Sequence, residues 1–456
     1  MRRVVKVSRI RIIITIIVVV LTTLLTGCTG KEPNEIAYVV ALGIDSTDDD
    51  NYKITIQYAN TTQISGGASE SGGKAGSEIV DNVTIEAPNI YAGVGLANNI
   101  VSKSFSMSHA KLIVFSKEIA EKGVKDMIET LVRSEEIRPD VFIAVANTTA
   151  NDYLTSVNPE MEVNPAQYYQ LIYQKNQLVG IPDGQLREFF TGLYTDNYDS
   201  ILPVAGVIEG SGGNSQNDDK GQSKDGQNEG SEGSSESLDS FESKSSNEKD
   251  ENEKEKDAEK NTSKYEYDIK NYIGGETTIE KKNKAEAIGA AVFEKDKMVG
   301  ELGEVETEIC KMLKGDYTYS YLTYYNNDTP NIPITVKTTQ QKKPKYKIDT
   351  DKKTVDIELY IESDLYSLPA DYNVENKIED FERDVANYTS SACTEFINNF
   401  TKKYNSDILK LNEKVKYKFL TNNQYNWFKK NVGWSEYKFS VCTNFKVRRT
   451  GLIVRK

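Results

Sequence analysis

Histidine, cysteine and tryptophan are scarce in this sequence of 456 residues, which contains one histidine, four cysteines and two tryptophans. A zinc site built from His and Cys needs more ligands than this, and no Cys-x-x-Cys pair is present. A Ser-His-Asp or Cys-His mechanism would have to use the single histidine, His109, which precedes a predicted strand and no nucleophile motif. We therefore predict no metal site, no cofactor site, and a structural or surface role for His109.

The cysteines beyond the N-terminal region are Cys310, Cys393 and Cys442, which are widely spaced. Three is an odd number for the disulfide framework of an exported chain. The spacing predicts that these side chains pack in the core or form one loose pair, and it leaves open whether any two of them are bonded.

Sequence motifs for catalysis and nucleotide binding are missing as well. The glycine-rich segments lack the Lys-Ser/Thr of a P-loop, and residues 92–99 (AGVGLANN) lack the third glycine of a dinucleotide fingerprint. No stretch isolates two acids in an apolar setting that would raise the pKa of one of them. We predict no catalytic residue and no enzyme. An envelope hydrolase would require two acids about 5 to 9.5 Å apart in a cleft.

Positive charge is in deficit, because 56 Lys and Arg residues face 69 Asp and Glu residues and the formal net charge is −13. Binding of nucleic acid needs clustered Lys and Arg, so we predict no nucleic-acid partner. The mean hydropathy of −0.55 indicates that part of the chain is not folded. Residues 209–264 fit that description, since 16 acids and 8 lysines accompany three apolar residues, and we predict a disordered acidic insertion there.

The N-terminus has the layout of a signal peptide. Five basic residues precede an apolar run at residues 12–25, and Thr26 and Gly27 lead directly into Cys28. The run is short for a spanning helix, which needs about 20 residues. This arrangement is typical of a bacterial lipobox, in which the cysteine is acylated, for example with palmitate, and becomes the mature N-terminus. The alternative is an uncleaved N-terminal anchor with an incidental Cys28. Either way, the body is held at a membrane surface.

Changes in composition and periodicity divide the chain into five parts. They are a signal peptide (1–27), a lipidated cysteine and tether (28–35), an N-terminal α/β region (36–208, with subdomains 36–146 and 147–208), an acidic low-complexity disordered insertion or linker (209–284) and a C-terminal α+β domain (285–456). Within the N-terminal region we predict a strand at 110–115, a helix at 117–134 and a strand at 140–146, with a right-handed crossover if the strands are parallel.

The C-terminal domain shows both periodicities. Residues 353–363 and 437–447 alternate between apolar and polar side chains, which predicts half-buried strands. Apolar residues between 374 and 396 recur at spacings of three and four, which predicts one long amphipathic helix that ends near Tyr404. We therefore predict an α+β fold of several domains with mixed or antiparallel sheets and packed helices. Its C-terminal domain is expected to be an antiparallel sheet with a long helix on one side.

Several short segments, in this order, resemble the Ger(x)C family, the lipoprotein C subunits of spore germinant receptors. After the lipobox these are NEIAYVVALGID (34–45), YKITIQ (52–57), SHAKLIVFSKEIAEKG (108–123), LVRSEEIRPD (131–140), LP (202–203), GAAVFEKDKMVGEL (289–302) and VRRTGLI (447–453). Two departures occur: residues 406–419 lack the glycine-containing segment usual in the family, and the stretch at 209–264 is longer than the family's connection.

The resemblance implies a multi-domain α+β protein without a catalytic site, which is needed for assembly or signalling of a germinant receptor. It further implies a lipid anchor on the outer face of the spore's inner membrane, beside integral membrane A and B subunits that bind most of the small-molecule germinant. The alternative function is a membrane-anchored solute-binding or adhesion lipoprotein.

Overall fold

The computed structural model describes residues 13–18, 35–49, 51–59, 80–159, 162, 164–174, 180–195, 197–208, 271–277, 283–325, 333–367, 377–404 and 406–450. Residues 13–18 are helical. The predictions for Cys28, for its tether up to residue 34 and for the insertion at 209–264 lie outside the described residues. Across the part that is described, no helix combines the length and the apolarity needed to cross a membrane.

A nine-stranded sheet contains the N-terminal half of the fold, in the order β3-β2-β1-β5-β6-β7-β8-β9, with β4 beside the start of β1. The strands are β1 (Ile36–Ser46), β2 (Tyr52–Ala59), β3 (Val80–Ala87), β4 (Ser104–Ser106), β5 (Leu112–Ser116), β6 (Phe142–Ala146), β7 (Ile201–Val207), β8 (Ala285–Glu294) and β9 (Lys297–Leu302). Strands β1, β5, β6 and β7 are mutually parallel, and the outer pairs are antiparallel.

Helices cover both faces of this sheet. They are α1 (Ile90–Ala97), α2 (Lys117–Lys122), α3 (Lys125–Val132), α4 (Ala150–Ser156), α5 (Pro165–Gln174) and α6 (Leu186–Thr195). Helices α1, α2, α3 and α6 contribute to the core on one face, and α4 and α5 contribute to the core on the other. Every residue of β5 and β6 is buried, which explains their continuous apolar sequences, because central parallel strands have no solvent face.

The predicted strand–helix–strand unit is present, and its two strands, β5 and β6, are parallel. The prediction of a single helix between them is wrong. Residues 117–134 form two helices, α2 and α3, separated at Gly123. Gly123 has a φ of +122°, and the N–H of Val124 donates to the carbonyl of Asp296 in the turn between β8 and β9. The break follows from a glycine conformation outside the helical region and from a tertiary hydrogen bond.

The first sheet continues across the predicted boundary between the two large domains. Strand β8 runs antiparallel to β7, with Val292 opposite Ile201 and Ala285 opposite Val207, and β9 forms a hairpin with β8. Residues 285–302 are thus part of the first sheet, whereas the sequence assigned them to the C-terminal domain. The long acidic stretch leaves from one strand and returns to its neighbour.

Residues 271–277, at the end of the predicted linker, pack against this junction. The N–H of Gly274 donates to the carbonyl of Ile288 (3.0 Å), and Asn147 Nδ2 donates to the carbonyl of Gly274 (2.6 Å). The backbones approach so closely that a Cβ on Gly206 would lie 2.0 Å from the carbonyl carbon of Gly274. Glycine at 206 is therefore a steric requirement of the β7–β8 junction.

The C-terminal elements build a second sheet. They are α7 (Glu304–Lys314), β10 (Tyr319–Tyr325), β11 (Pro333–Gln340), β12 (Lys345–Asp349), β13 (Thr354–Ser367), α8 (Ile378–Lys403), α9 (Leu411–Val415), α10 (Asn422–Asn431) and β14 (Lys438–Arg449), with 3-10 turns at Lys416–Lys418 and Trp434–Glu436. The long strand β13 pairs with β11 and β12 along one edge and with β14 along the other.

The predicted fold class, α+β with a C-terminal sheet and a long helix on one side, is confirmed. One detail is corrected: β14 runs parallel to β13, so the second sheet is mixed. A parallel pair needs a long crossover, which α8 and the following segment supply. Helix α8 covers the apolar face of the sheet, as the ring contact between Phe381 and Phe445 shows (6.4 Å).

Candidate functional site

A cleft of about 570 Å³ lies where one end of the first sheet meets the segment after α8. The start of β7 and the β8–β9 turn form one wall, and residues 404–435 form the other. Its charged and aromatic lining consists of Asp199, Glu294, Asp407, Lys295, Lys429, Lys430, Tyr198, Tyr404 and Trp434. Acids, lysines and aromatic rings together suit this cleft to binding a small polar molecule.

Asp199 connects the three segments that meet at the cleft. Its Oδ1 accepts the N–H of Lys295 (2.9 Å), and its Oδ2 accepts the N–H of Asp407 (2.8 Å). Its own N–H donates to the carbonyl of Asp407 (3.2 Å). The Asp199 carboxylate thus holds the β8–β9 turn and the chain after α8 against the start of β7.

The carboxylate of Asp407 likewise accepts backbone N–H groups, in this case from the start of α9. Its Oδ1 accepts the N–H of Leu411 and its Oδ2 accepts the N–H of Asn412, both at 2.8 Å, which orders the start of α9. The side chain is buried, and this burial raises the pKa of Asp407 to about 7. Asn412 in turn accepts a hydrogen bond from Trp434 Nε1 (3.2 Å), so the ordering extends to the rim of the cleft.

Lys410 joins the two walls from the other side. It adopts a left-handed backbone conformation (φ 57°), and its ammonium lies 4.1 Å from the ring centroid of Tyr198. The same ammonium pairs with the carboxylate of Glu188 in α6. A cation over an aromatic face and beside a carboxylate makes favourable contacts with both groups. The cleft is therefore braced by polar contacts between the N- and C-terminal parts of the fold.

The carboxylates of Asp199 and Asp407 hold the backbone of the cleft. Each carboxylate oxygen of Asp199 and Asp407 accepts a backbone N–H, so a proton or a substrate would compete with the chain for it. Within the ranges that the structure describes, no group of three His, Cys, Asp or Glu residues is placed to hold a metal ion.

The cysteines singled out by the sequence do not meet. Cys310 and Cys393 are buried, Cys442 is exposed, and all three are free thiols. Burial raises the pKa of Cys310 and of Cys393 to about 12, so both behave as apolar core residues. Packing, one of the two alternatives left open, is the outcome for these two.

His109 lies away from the cleft. Its ring contacts that of Tyr38 (centroids 4.8 Å apart), and its Nδ1 lies 3.2 Å from Ser108 Oγ. Burial, together with Arg138 and Lys111, lowers the pKa of His109, so the ring is neutral at pH 7. These contacts give it a packing role.

Sequence reasoning did not find the cleft. Asp199 and Asp407 are 208 positions apart, and each resembles an ordinary polar residue at the edge of an element. One signal was available: Asp407 lies in residues 406–419, the stretch that departs from the family pattern.

Comparisons with known proteins cover both halves of the chain. The family described as "Spore germination protein N-terminal domain" matches residues 30–207, and the family described as "Spore germination B3/ GerAC like, C-terminal" matches residues 288–451. The chain is also similar to the crystal structure of the GerBC protein, with 15% identity and a TM-score of 0.47, over 89% of this chain and 96% of that one.

Three curated relatives come from Bacillus subtilis (strain 168). Spore germination protein KC is 26% identical over 174 residues (35% of this chain, 42% of the relative), and the putative spore germination protein YfkR is 28% identical over 145 residues (32% and 37%). Spore germination protein B3 is 26% identical over 148 residues (30% and 36%). The chain thus spans less than half the length of these relatives. Because the two family matches together cover most of the sequence, the chain belongs to the Ger(x)C family of spore germination proteins.

Proposed function

We propose that the chain is the non-catalytic lipoprotein subunit of a spore germinant receptor and acts in assembly or signalling of nutrient-triggered germination. It is held by acylated Cys28 on the outer face of the spore's inner membrane. Its partners are the integral membrane A and B subunits, which bind most of the small-molecule germinant. The observation that carries the proposal is the pair of family matches, in order, on either side of the acidic stretch.

The structure supports an interaction role in one further respect. Two acids of the cleft, Asp199 and the buried Asp407, are committed to backbone hydrogen bonds. A subunit that transmits a signal needs its parts coupled, and these bonds couple the start of the first sheet's β7 to the C-terminal segment.

The test is deletion of the gene in a strain without other copies of the family. We expect nutrient germination to be lost while spore formation stays normal, and the wild-type gene to restore germination. Germination at the normal rate in the deletion strain would contradict the proposal.

The anchor is tested separately. Cys28→Ala should accumulate as unprocessed precursor and lose labelling by a fatty-acid analogue, while Cys442→Ala, which removes an exposed thiol, serves as the matched control and keeps both. Undiminished labelling of Cys28→Ala would contradict acylation at Cys28. The proposed receptor role would then rest on the result of the gene deletion alone.

A second candidate, a membrane-anchored solute-binding or adhesion lipoprotein, is favoured by the size and mixed lining of the cleft. It predicts a neighbouring transporter gene and calorimetric binding of a peptide or sugar. The receptor proposal predicts neighbouring genes for two multi-span membrane proteins.

A further inference from the structure

The segment from Lys410 to Lys430 has a charge opposite to that of the protein as a whole. It contains six lysines and one acid, Glu413, in a chain whose net charge is −13. Lys416, Lys418 and Lys430 are exposed and form no ion pair within the described residues, but the Lys418 ammonium donates to the carbonyl of Ile348 and the Lys416 ammonium lies 5.8 Å from the ring centroid of Tyr425. A local excess of positive charge on an acidic body marks a surface that attracts an anionic partner.

Large apolar side chains stand among these lysines. Leu420 is 94% exposed, Tyr417 is 80% exposed and Trp427 is 64% exposed. Leu420 and Trp427 line one shallow hollow beside Lys418, between the 3-10 turn Lys416–Lys418 and helix α10. We call Lys416, Tyr417, Lys418, Leu420, Trp427 and Lys430 the lysine–tryptophan surface.

The exposed side chains sit on a rigid base. Phe419 packs on Phe428 (centroids 4.9 Å apart), and Phe428 packs edge-on against Trp434 (5.9 Å). Thr421 and Gln424 form a capping box that starts α10 next to Leu420. The exposure of Leu420 and Trp427 therefore belongs to an ordered structure in which the aromatic core lies directly beneath them.

The surface lies at a defined end of the first sheet. Helix α10 is tied to the residues just before β7, because Tyr425 Oη donates to Asn197 Oδ1 (3.1 Å) and Lys429 Nζ donates to the carbonyl of Thr195 (3.4 Å). Strands β1, β5, β6 and β7 are parallel, so all four begin at this end. The start of β1 is three strands from β7, about 15 Å across the sheet, and it extends about 16 Å further along the strand direction, because Ala41 and not Ile36 is level with the start of β7.

That end is also the one nearest to Cys28 along the chain. Residues 29–35 separate Cys28 from β1, and a fully extended chain of this length spans about 25 Å. If Cys28 is acylated, as in the function proposed above on which this step rests, the start of β1 is held within that distance of lipid headgroups, and the lysine–tryptophan surface lies at the same end of the sheet.

We propose that the lysine–tryptophan surface is a second membrane contact, which binds anionic phospholipid. Trp427 and Tyr417 suit the headgroup level, where amphipathic rings are enriched, and Leu420 enters the acyl boundary. Lys430 pairs with the lipid phosphates directly, and Lys416 and Lys418 reach them by exchanging their contacts with Tyr425 and with the carbonyl of Ile348. Together with the anchor, this contact holds the body in one orientation on the membrane.

The experiment uses the full chain with its own anchor, reconstituted into liposomes that contain brominated lipid, with either phosphatidylglycerol or phosphatidylcholine alone. The chain has two tryptophans, and Trp434 is 8% exposed, so the difference between wild type and Trp427→Phe reports on Trp427. We expect bromine to quench the Trp427 emission in anionic vesicles, much less in neutral ones, and less as salt is added.

The matched variants carry three charge reversals each. Lys416→Glu/Lys418→Glu/Lys430→Glu should abolish the quenching, while the control Lys125→Glu/Lys342→Glu/Lys402→Glu, at exposed lysines elsewhere, should retain it. Circular dichroism checks that both fold.

Absence of quenching in the anchored wild type overturns the inference but leaves the proposed anchor intact. Loss of the chain from the vesicles would instead show that the anchor has failed. Impaired germination by the first variant with unchanged quenching would identify a protein partner and overturn the lipid proposal.

Discussion

The two sheets of this protein bury their strands in different ways. In the first sheet, β5 and β6 are covered on both faces, and residues that point in opposite directions are equally buried. In the second sheet, β13 and β14 alternate, with one face under α8 and the other in solvent. A strand with two core faces has no position free for a polar side chain, whereas a strand with one core face has every second position free.

The solvent face of the second sheet uses this freedom for polar pairs between β13 and β14. Ser440 Oγ donates to Asp356 (2.6 Å), Asn444 Nδ2 donates to Glu358 (3.0 Å), and Arg448 pairs with Glu362 (3.3 Å). Such exposed pairs specify register and add little stability. The central strands of the first sheet are therefore stabilised by apolar packing on both faces. The second sheet is packed on one face and presents polar side chains to solvent on the other.

The largest effect is expected from a scan with aspartate. Ala144→Asp and Val145→Asp, on opposite faces of β6, should each destabilise folding by more than about 4 kcal/mol, because each buries an unpaired charge. In β14, Val441→Asp should do the same, while the adjacent Cys442→Asp should cost only about 1 kcal/mol, because position 442 is exposed and the new carboxylate only faces Glu358 across the strand pair. Denaturant unfolding measures all four. Equal changes in stability for Ala144→Asp and Cys442→Asp would contradict the difference in burial between β6 and the outer face of β14.

Gly206→Ala should cost about 3 kcal/mol, because its Cβ would overlap the backbone of Gly274. Gly95→Ala is the matched control: its Cβ meets nothing within 4 Å, it lies on the exposed side of α1, and it should stabilise by about 0.5 to 1 kcal/mol. Thermal unfolding of both variants is the measurement. A neutral Gly206→Ala would mean that residues 271–277 are not held against β7.

Asp407, where the two parts of the fold meet, should make stability depend on pH. Its pKa is raised to about 7 in the folded chain, so between about pH 4 and pH 7 the folded state binds a proton that the unfolded state has lost. Stability should fall as the pH rises through this window, by about 4 kcal/mol relative to Asp407→Asn, because each unit of pKa shift corresponds to about 1.4 kcal/mol. Parallel pH profiles of the two proteins would show that Asp407 has an ordinary pKa.

The smallest effect belongs to the solvent face of the second sheet. A double-mutant cycle of Arg448→Ala and Glu362→Ala should give a coupling of about 0.5 kcal/mol that shrinks with added salt, because both side chains are partly exposed. A coupling above about 2 kcal/mol would show that this face is not governed by solvent screening.

Periodicity predicted the elements that have one clear burial pattern. The long helix α8 and the alternating strand β14 follow from the spacing of apolar residues. The break at Gly123 and the parallel direction of β14 were not predicted, because each depends on a partner distant in sequence. The cleft was missed for the same reason, since Asp199 and Asp407 meet only after the first sheet and the C-terminal segment have packed.

The sequence alone determined the family, the alternating strands of the C-terminal sheet and the long helix α8, because apolar spacing and ordered motifs are local properties of the chain. The tertiary structure decided that β8 and β9 join the first sheet, that the acidic stretch leaves and returns between neighbouring strands, and that α10 lies at the end where β1 begins. Contacts between residues distant in sequence make these choices, through strand pairing and through side-chain hydrogen bonds such as that from Tyr425 to Asn197. Strand partners therefore leave little trace in the sequence until the whole chain has packed.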